Sequence, residues 1–146
     1  MTKKSARRRI LGAAAALAAG ACATSPRSMS VRALPAQYSP AMSSTVGIGL
    51  RPVFVPPSGT VVDYHWRTNF GYFLTWGAPD YKPARQGADV FLTEGQLYWS
   101  YDPSRAMTRK PPVAIVIEAR DRQSGRVLAR RTVRLDWDQD VARVRD

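Results

Sequence analysis

Val113-Ala114-Ile115-Val116-Ile117-Glu118-Ala119-Arg120, then Asp121-Arg122-Gln123-Ser124-Gly125, then Arg126-Val127-Leu128-Ala129-Arg130-Arg131-Thr132-Val133-Arg134-Leu135 reads as strand, turn, strand. Val113, Ile115 and Ile117 repeat every second residue, and Val127, Ala129, Val133 and Leu135 do the same after the turn. That period places one row of side chains on a buried face. The linking residues are turn formers, and Gly125 can take a positive φ. Arg120, Arg126, Arg130 and Arg134 fall on the solvent side. Arg131 falls on the apolar parity, so either a bulge shifts the register near Arg130-Arg131 or Arg131 emerges at a sheet edge.

The same period runs upstream. Val46, Ile48 and Leu50 alternate, as do Val62, Tyr64 and Trp66, then Tyr72, Leu74 and Trp76, then Val90 and Leu92, then Leu97, Trp99 and Tyr101. Turn residues separate these runs at Pro56-Pro57-Ser58-Gly59, Gly77-Ala78-Pro79-Asp80 and Asp102-Pro103-Ser104. No helical period is sustained, and the chain reads all-β. About seven short strands imply an antiparallel two-sheet sandwich, because one open sheet would leave a row of Trp, Tyr and Ile in water.

Val62-Asp63-Tyr64-His65-Trp66, Leu97-Tyr98-Trp99-Ser100-Tyr101 and the hairpin from Val113 to Leu135 resemble an exported bacterial immunoglobulin-like domain, similar to polycystic-kidney-disease and fibronectin type III modules. The resemblance implies an immunoglobulin-like sandwich over 45–141. Trp66 and Trp99 then fill a core without a disulfide, since Cys22 is the only cysteine.

Ahead of this domain stand Lys3, Lys4, Arg7, Arg8 and Arg9 with no acid, followed by twelve apolar residues, Ile10 to Ala21. That order is a secretory signal peptide. Twelve helical residues reach about 18 Å, well short of a hydrocarbon core of about 30 Å. Ala19-Gly20-Ala21 before Cys22 resembles a bacterial lipobox, which implies an acylated Cys22 as the first mature residue. Cleavage at an Ala-x-Ala-like site is the other reading, with Cys22 a free thiol. Arg7-Arg8-Arg9-Ile10-Leu11 also resembles a twin-arginine export signal. The expected organisation is a signal peptide over 1–21, lipidated Cys22 and a flexible tether over 22–44, the sandwich, and a tail over 142–146. The expected location is the inner or outer membrane, facing the periplasm or the cell exterior.

The chain carries +11, but the segment before Cys22 holds five of its 22 basic residues and none of its 11 acids, so the remainder is +6. Such a surface favours anionic neighbours, lipid headgroups or cell-wall polyanions. Export removes nucleic acid as a partner.

Catalytic signatures are missing. His65 is the only histidine, and no Gly-x-Ser-x-Gly elbow, Ser-x-x-Lys, His-Glu-x-x-His or phosphate loop occurs. His65 reads as a surface or inter-sheet residue. Asp63, Asp89, Glu94, Asp102 and Glu118 remain candidates for carboxylate pairs. Asp136, Asp138 and Asp140 have the spacing that begins a calcium loop, but Val141 stands where its glycine belongs, and the reading is a solvated acidic end. Met29, Met42 and Met107 are too scattered for copper. No cofactor is expected.

Aromatic density is the sharper feature: Tyr64, Trp66, Phe70, Tyr72, Phe73, Trp76 and Tyr81 crowd one stretch, and Tyr98, Trp99 and Tyr101 follow. If Tyr64, Trp66, Tyr72, Leu74 and Trp76 are core, Phe73, Tyr81 and Tyr98 lie on the other face. Beside Arg67, Asn69, Lys82 and Arg85 they form a candidate binding surface, with Phe73, Tyr81, Tyr98, Arg67 and Arg85 as its residues. The expected function is a non-enzymatic, lipid-anchored envelope module that binds another envelope protein or an anionic cell-wall polymer. The competing reading is a small envelope hydrolase, or an enzyme accessory subunit, using carboxylates.

Overall fold

The computed structural model describes residues 27–93, 95–103 and 110–145. The signal segment, Cys22, Glu94, Ser104 and Met107 lie outside the described residues. Within them the chain is all-β: β1 (Ser30–Ala33), β2 (Gln37–Tyr38), β3 (Ile48–Val53), β4 (Val62–Thr68), β5 (Tyr72–Thr75), β6 (Ala84–Gly87), β7 (Asp89–Leu92), β8 (Leu97–Ser100), β9 (Val113–Asp121), β10 (Val127–Asp138) and β11 (Val141–Arg145). They form two antiparallel sheets packed as a sandwich, ordered β1-β3-β8-β5-β6 and β2-β11-β10-β9-β4-β7.

The register explains the core. Ile117 lies opposite both Trp66 and Arg131, and Ile115 and Val113 lie opposite Val133 and Leu135. On the facing sheet, Trp99 lies between Ile48 and Phe73, and Leu97 is opposite Leu50. Trp66 and Phe73 meet edge to face with ring centroids 5.9 Å apart. Each fully buried large apolar side chain contributes about 1.5–3 kcal/mol of transfer free energy.

Loops gather at two ends. One end, called proximal here, holds Arg27 to Ser30, the 54–61 loop and the 121–126 turn. Ser30 pairs with Val53, and the Arg122 amide donates to the Val61 carbonyl at 2.9 Å. At the other end Asn69 pins its loop to the start of β9, accepting from the Ala114 amide at 2.8 Å and donating to the Pro112 carbonyl at 2.9 Å.

Several expectations are corrected. Among the described residues eleven strands stand where about seven were expected. Much of the expected tether is fold: β1 pairs with β3, β2 pairs with β11, and Met29 and Tyr38 are buried in the core. The expected tail is mostly β11, whose Ala142 is buried opposite Trp137. These short strands show no alternation of their own, and the sheets they complete supply their order. The bulge in β10 falls earlier than Arg131, between Val127 and Ala129. β11 covers β10 only from Arg134 to Asp138, so Arg131 keeps its apolar parity and emerges at an open edge.

Candidate functional site

Tyr98 lies opposite Gly49 on one side and Leu74 on the other, on the outer face of the five-stranded sheet. Glycine is required at 49, because a Cβ there would stand 2.2 Å from the Leu34 carbonyl oxygen and 3.2 Å from the Tyr98 ring. Trp76 follows β5 on the same outer parity and meets Tyr98 and Tyr81 edge to face, at 5.8 and 6.2 Å between centroids. The Trp76 indole N–H donates to the Tyr81 carbonyl at 2.8 Å, and the Tyr81 amide donates to Gly77 at 2.9 Å. These bonds close the 77–83 loop and hold Tyr81 at φ 48°, a left-handed conformation that is uncommon for a bulky residue. Tyr81 is 63% exposed.

Trp76 and Tyr98 border a cleft of about 610 Å³, to which Asp80, Lys82, Thr75 and Gln96 add polar groups, and Tyr81 packs on Trp76 beside it. Gln96 donates to the Tyr98 hydroxyl at 3.3 Å. Pro83 separates this cleft from a neighbouring one of about 390 Å³, where the Arg85 guanidinium lies 3.7 Å over the Tyr72 ring. Flat aromatic faces beside hydrogen-bonding groups suit ligands that are apolar on one surface and polar at the rim.

The expected binding residues divide. Tyr81, Tyr98 and Arg85 lie on this face. Phe73 does not: it is 0% exposed and packed in the core, so its assignment to a binding surface is corrected. Both parities of Tyr72-Phe73-Leu74 are apolar because the sheet is covered on both sides here. Trp66 of the facing sheet packs on Phe73 from within, and Pro40, Met42, Thr45 and Val46 border a cleft with Leu74 from without. Trp76, expected in the core, belongs to the cleft instead. Arg67 is on the other sheet and takes no part in it.

That second sheet holds a polar cluster that alternation alone did not assemble. His65 on β4 lies opposite Phe91 on β7 and Glu118 on β9. Its ring stacks on Phe91 at 3.9 Å, its Nε2 is 2.7 Å from Asp89, and its Nδ1 is 3.5 Å from Glu118. His65 is therefore nearly buried on an outward-facing parity. Glu118 also accepts from Arg67 at 3.1 Å and from Arg120 at 2.7 Å, with Arg130 at 3.8 Å. Burial pushes the Glu118 carboxyl upward, but the Arg120 hydrogen bond and the charges of Arg120, Arg67 and Arg130 outweigh it, so the group is held below its ordinary range. The groups that face the imidazole are these two carboxylates and the Phe91 ring.

Asp63 is taken up by Arg122 at 2.7 Å. Asp136, Asp138 and Asp140 pair with Arg145, Arg143 and Lys110. Among the described residues no group of three or more His, Cys, Asp or Glu side chains is arranged to hold a metal ion. Nor does any helix there have the length and hydropathy to cross a membrane. Comparison with protein-family models, curated proteins and solved structures finds no match.

Proposed function

We infer that this chain is a lipid-anchored, non-enzymatic module of the cell envelope that holds a cell-wall polymer in the aromatic cleft of its five-stranded sheet. The observation that carries this is the meeting of Trp76 and Tyr98 in a cleft rimmed by Asp80, Lys82 and Gln96, with the exposed Tyr81 against Trp76 beside it. Sugar rings offer apolar C–H faces to such aromatics and hydroxyls to such a rim. Lys82 and Arg85 favour an anionic polymer.

An immunoglobulin-like type is supported by the connectivity. β1-β3-β8-β5 follows the order A-B-E-D, β4-β9-β10 follows C-F-G, and the buried Trp66 sits on the strand equivalent to C. On this reading β2 with β11, and β6 with β7, are additions. The hydrolase alternative is weakened because Asp89 and Glu118 converge on His65 and arginines, while other residues line the described clefts.

Co-sedimentation with insoluble cell-wall sacculi tests the polymer reading. Trp76→Ala with Tyr98→Ala should weaken retention by about tenfold, the equivalent of about 1.4 kcal/mol. Unchanged retention, or none by the native protein, would refute it. Binding to a second envelope protein that survives both substitutions would put the partner elsewhere. For the anchor, the mass of the Cys22 peptide should show acyl chains. Cys22→Ser should release the protein from membranes.

A further inference from the structure

Eight large hydrophobic side chains are exposed among the described residues: Leu34, Val53, Val55, Val61, Trp76, Tyr81, Phe91 and Val127. Four of them, the valines, belong to the proximal end. Val53 and Val55 border a groove with Arg27 to Ser30, and Val61 borders another with Arg122 and Gln123. Val127 pairs with Arg120 beside the same turn. Val55 is 77% exposed, a cost that a soluble surface has no reason to concentrate at one end.

Among the described residues arginines outnumber carboxylates at this end, Arg27, Arg51, Arg122 and Arg126 against Asp63 and Asp121. Arg27 and Arg51 form no ion pair among the described residues, whereas Asp63 is held by Arg122, and Asp121 accepts from the Gln123 and Ser124 amides. The chain also arrives here. Arg27 follows Cys22 by five residues. Five residues span at most about 18 Å even when fully extended.

We propose that the proximal end rests on an anionic lipid bilayer, with Val53, Val55, Val61 and Val127 at the headgroup boundary and Arg27, Arg51 and Arg126 against lipid phosphates. The position of Arg27 argues for lipid over a protein partner, and that step rests on the reading of Cys22 as acylated. Valine side chains supply the apolar contact and guanidiniums the attraction to phosphate, the combination used by interfacial segments.

The test uses the full mature protein on vesicles of phosphatidylethanolamine and phosphatidylglycerol containing nitroxide-labelled lipid. Val55→Cys and, as the remote control, Gln37→Cys each carry a fluorophore; the sulfur of an acylated Cys22 is blocked to the label. The expected result is quenching at Val55 and none above background at Gln37. Equal quenching at the two sites, or none at either, overturns the docking. The mass of the Cys22 peptide is read in parallel. Should Cys22 prove unmodified, both variants are read in a Cys22→Ser background: quenching at Val55 alone there would support the surface while the anchor is refuted, and an acylated Cys22 without quenching would do the reverse.

Discussion

Asp89 meets His65 at 2.7 Å across the β4–β7 pair, although 24 residues separate them in the chain. The same imidazole faces Glu118 on its other side, so three strands are joined through one ring. The two carboxylates differ in surroundings: the Asp89 side chain is 65% exposed and that of Glu118 is 6% exposed. An exposed pair is screened by water and contributes about 0.2–1 kcal/mol. Removing a buried carboxylate that arginines surround costs more, about 2–3 kcal/mol after allowing for their partial exposure. Glu118→Ala should therefore shift the urea midpoint several times further than Asp89→Ala, with little change in the slope. Equal shifts would show that the cluster is not organised around Glu118.

Acid should weaken the fold through the same group. Glu118 titrates below its ordinary value of 4.5, so the folded state favours its charged form. The resulting stability is fully present above that value and is lost as pH falls through the folded-state value. Asp63 and Asp121 are shifted in the same direction, Asp63 by the Arg122 hydrogen bond and Asp121 by the Gln123 amide. Thermal melts from neutral pH into acid should show a flat region and then a decline. Glu118→Gln should begin lower and decline less, so that the two curves converge in acid. Parallel curves would contradict the assignment.

What alternation revealed, and where it stopped, follows from which face of each strand is covered. Val113, Ile115 and Ile117 face a core while their neighbours face water or polar groups, and such strands are legible from the sequence. Tyr72-Phe73-Leu74 is apolar on both parities because both faces are covered, so the pattern has no sign and alternation with Tyr72 and Leu74 places Phe73 outward. β1, β2 and β11 have two to five residues each and acquire their order from partners far along the chain. Tyr81 and Tyr98 were legible as an aromatic surface. The His65 cluster was not, because its members become neighbours only once the register of β4 with β7 and β9 is known.

The correction at Phe73 separates binding from stability. Phe73→Ala should cost about 3–5 kcal/mol, as for a large aromatic removed from a core. Any loss of binding would then track loss of fold. Trp76→Ala removes a ring that is 36% exposed, together with its hydrogen bond to Tyr81, and should cost about 1 kcal/mol while weakening sacculus binding. Denaturant midpoints read beside binding isotherms check this. A stable Phe73→Ala protein that fails to bind would return Phe73 to the surface.

Gly49→Ala tests whether β1 belongs to the sandwich. The added methyl group would meet the Leu34 carbonyl at 2.2 Å, so backbone must move and β1 must part from β3. Overpacking of this kind costs about 1–3 kcal/mol. Amide exchange should accelerate across Ser30–Ala33 and little at β9. Unchanged protection in β1 would mean that the chain there is not held by this pairing.

Arg131 guards an edge. It lies opposite Ile117 on the apolar parity of β10, yet it is exposed because β11 pairs only from Arg134 onward. The half-strand before that point offers unpaired backbone groups to any other strand, and a charge on its inward parity obstructs such pairing. Arg131→Val would extend the apolar row Ala129, Val133 and Leu135 to the open edge. Its expected effect on unfolding of the dilute monomer is within about 0.5 kcal/mol, since the residue is exposed. Its effect on association should be larger: sedimentation should show concentration-dependent dimers or aggregates that the native protein lacks, and Arg131→Lys should abolish them. A monomeric Arg131→Val protein at high concentration would show that something other than this charge protects the edge.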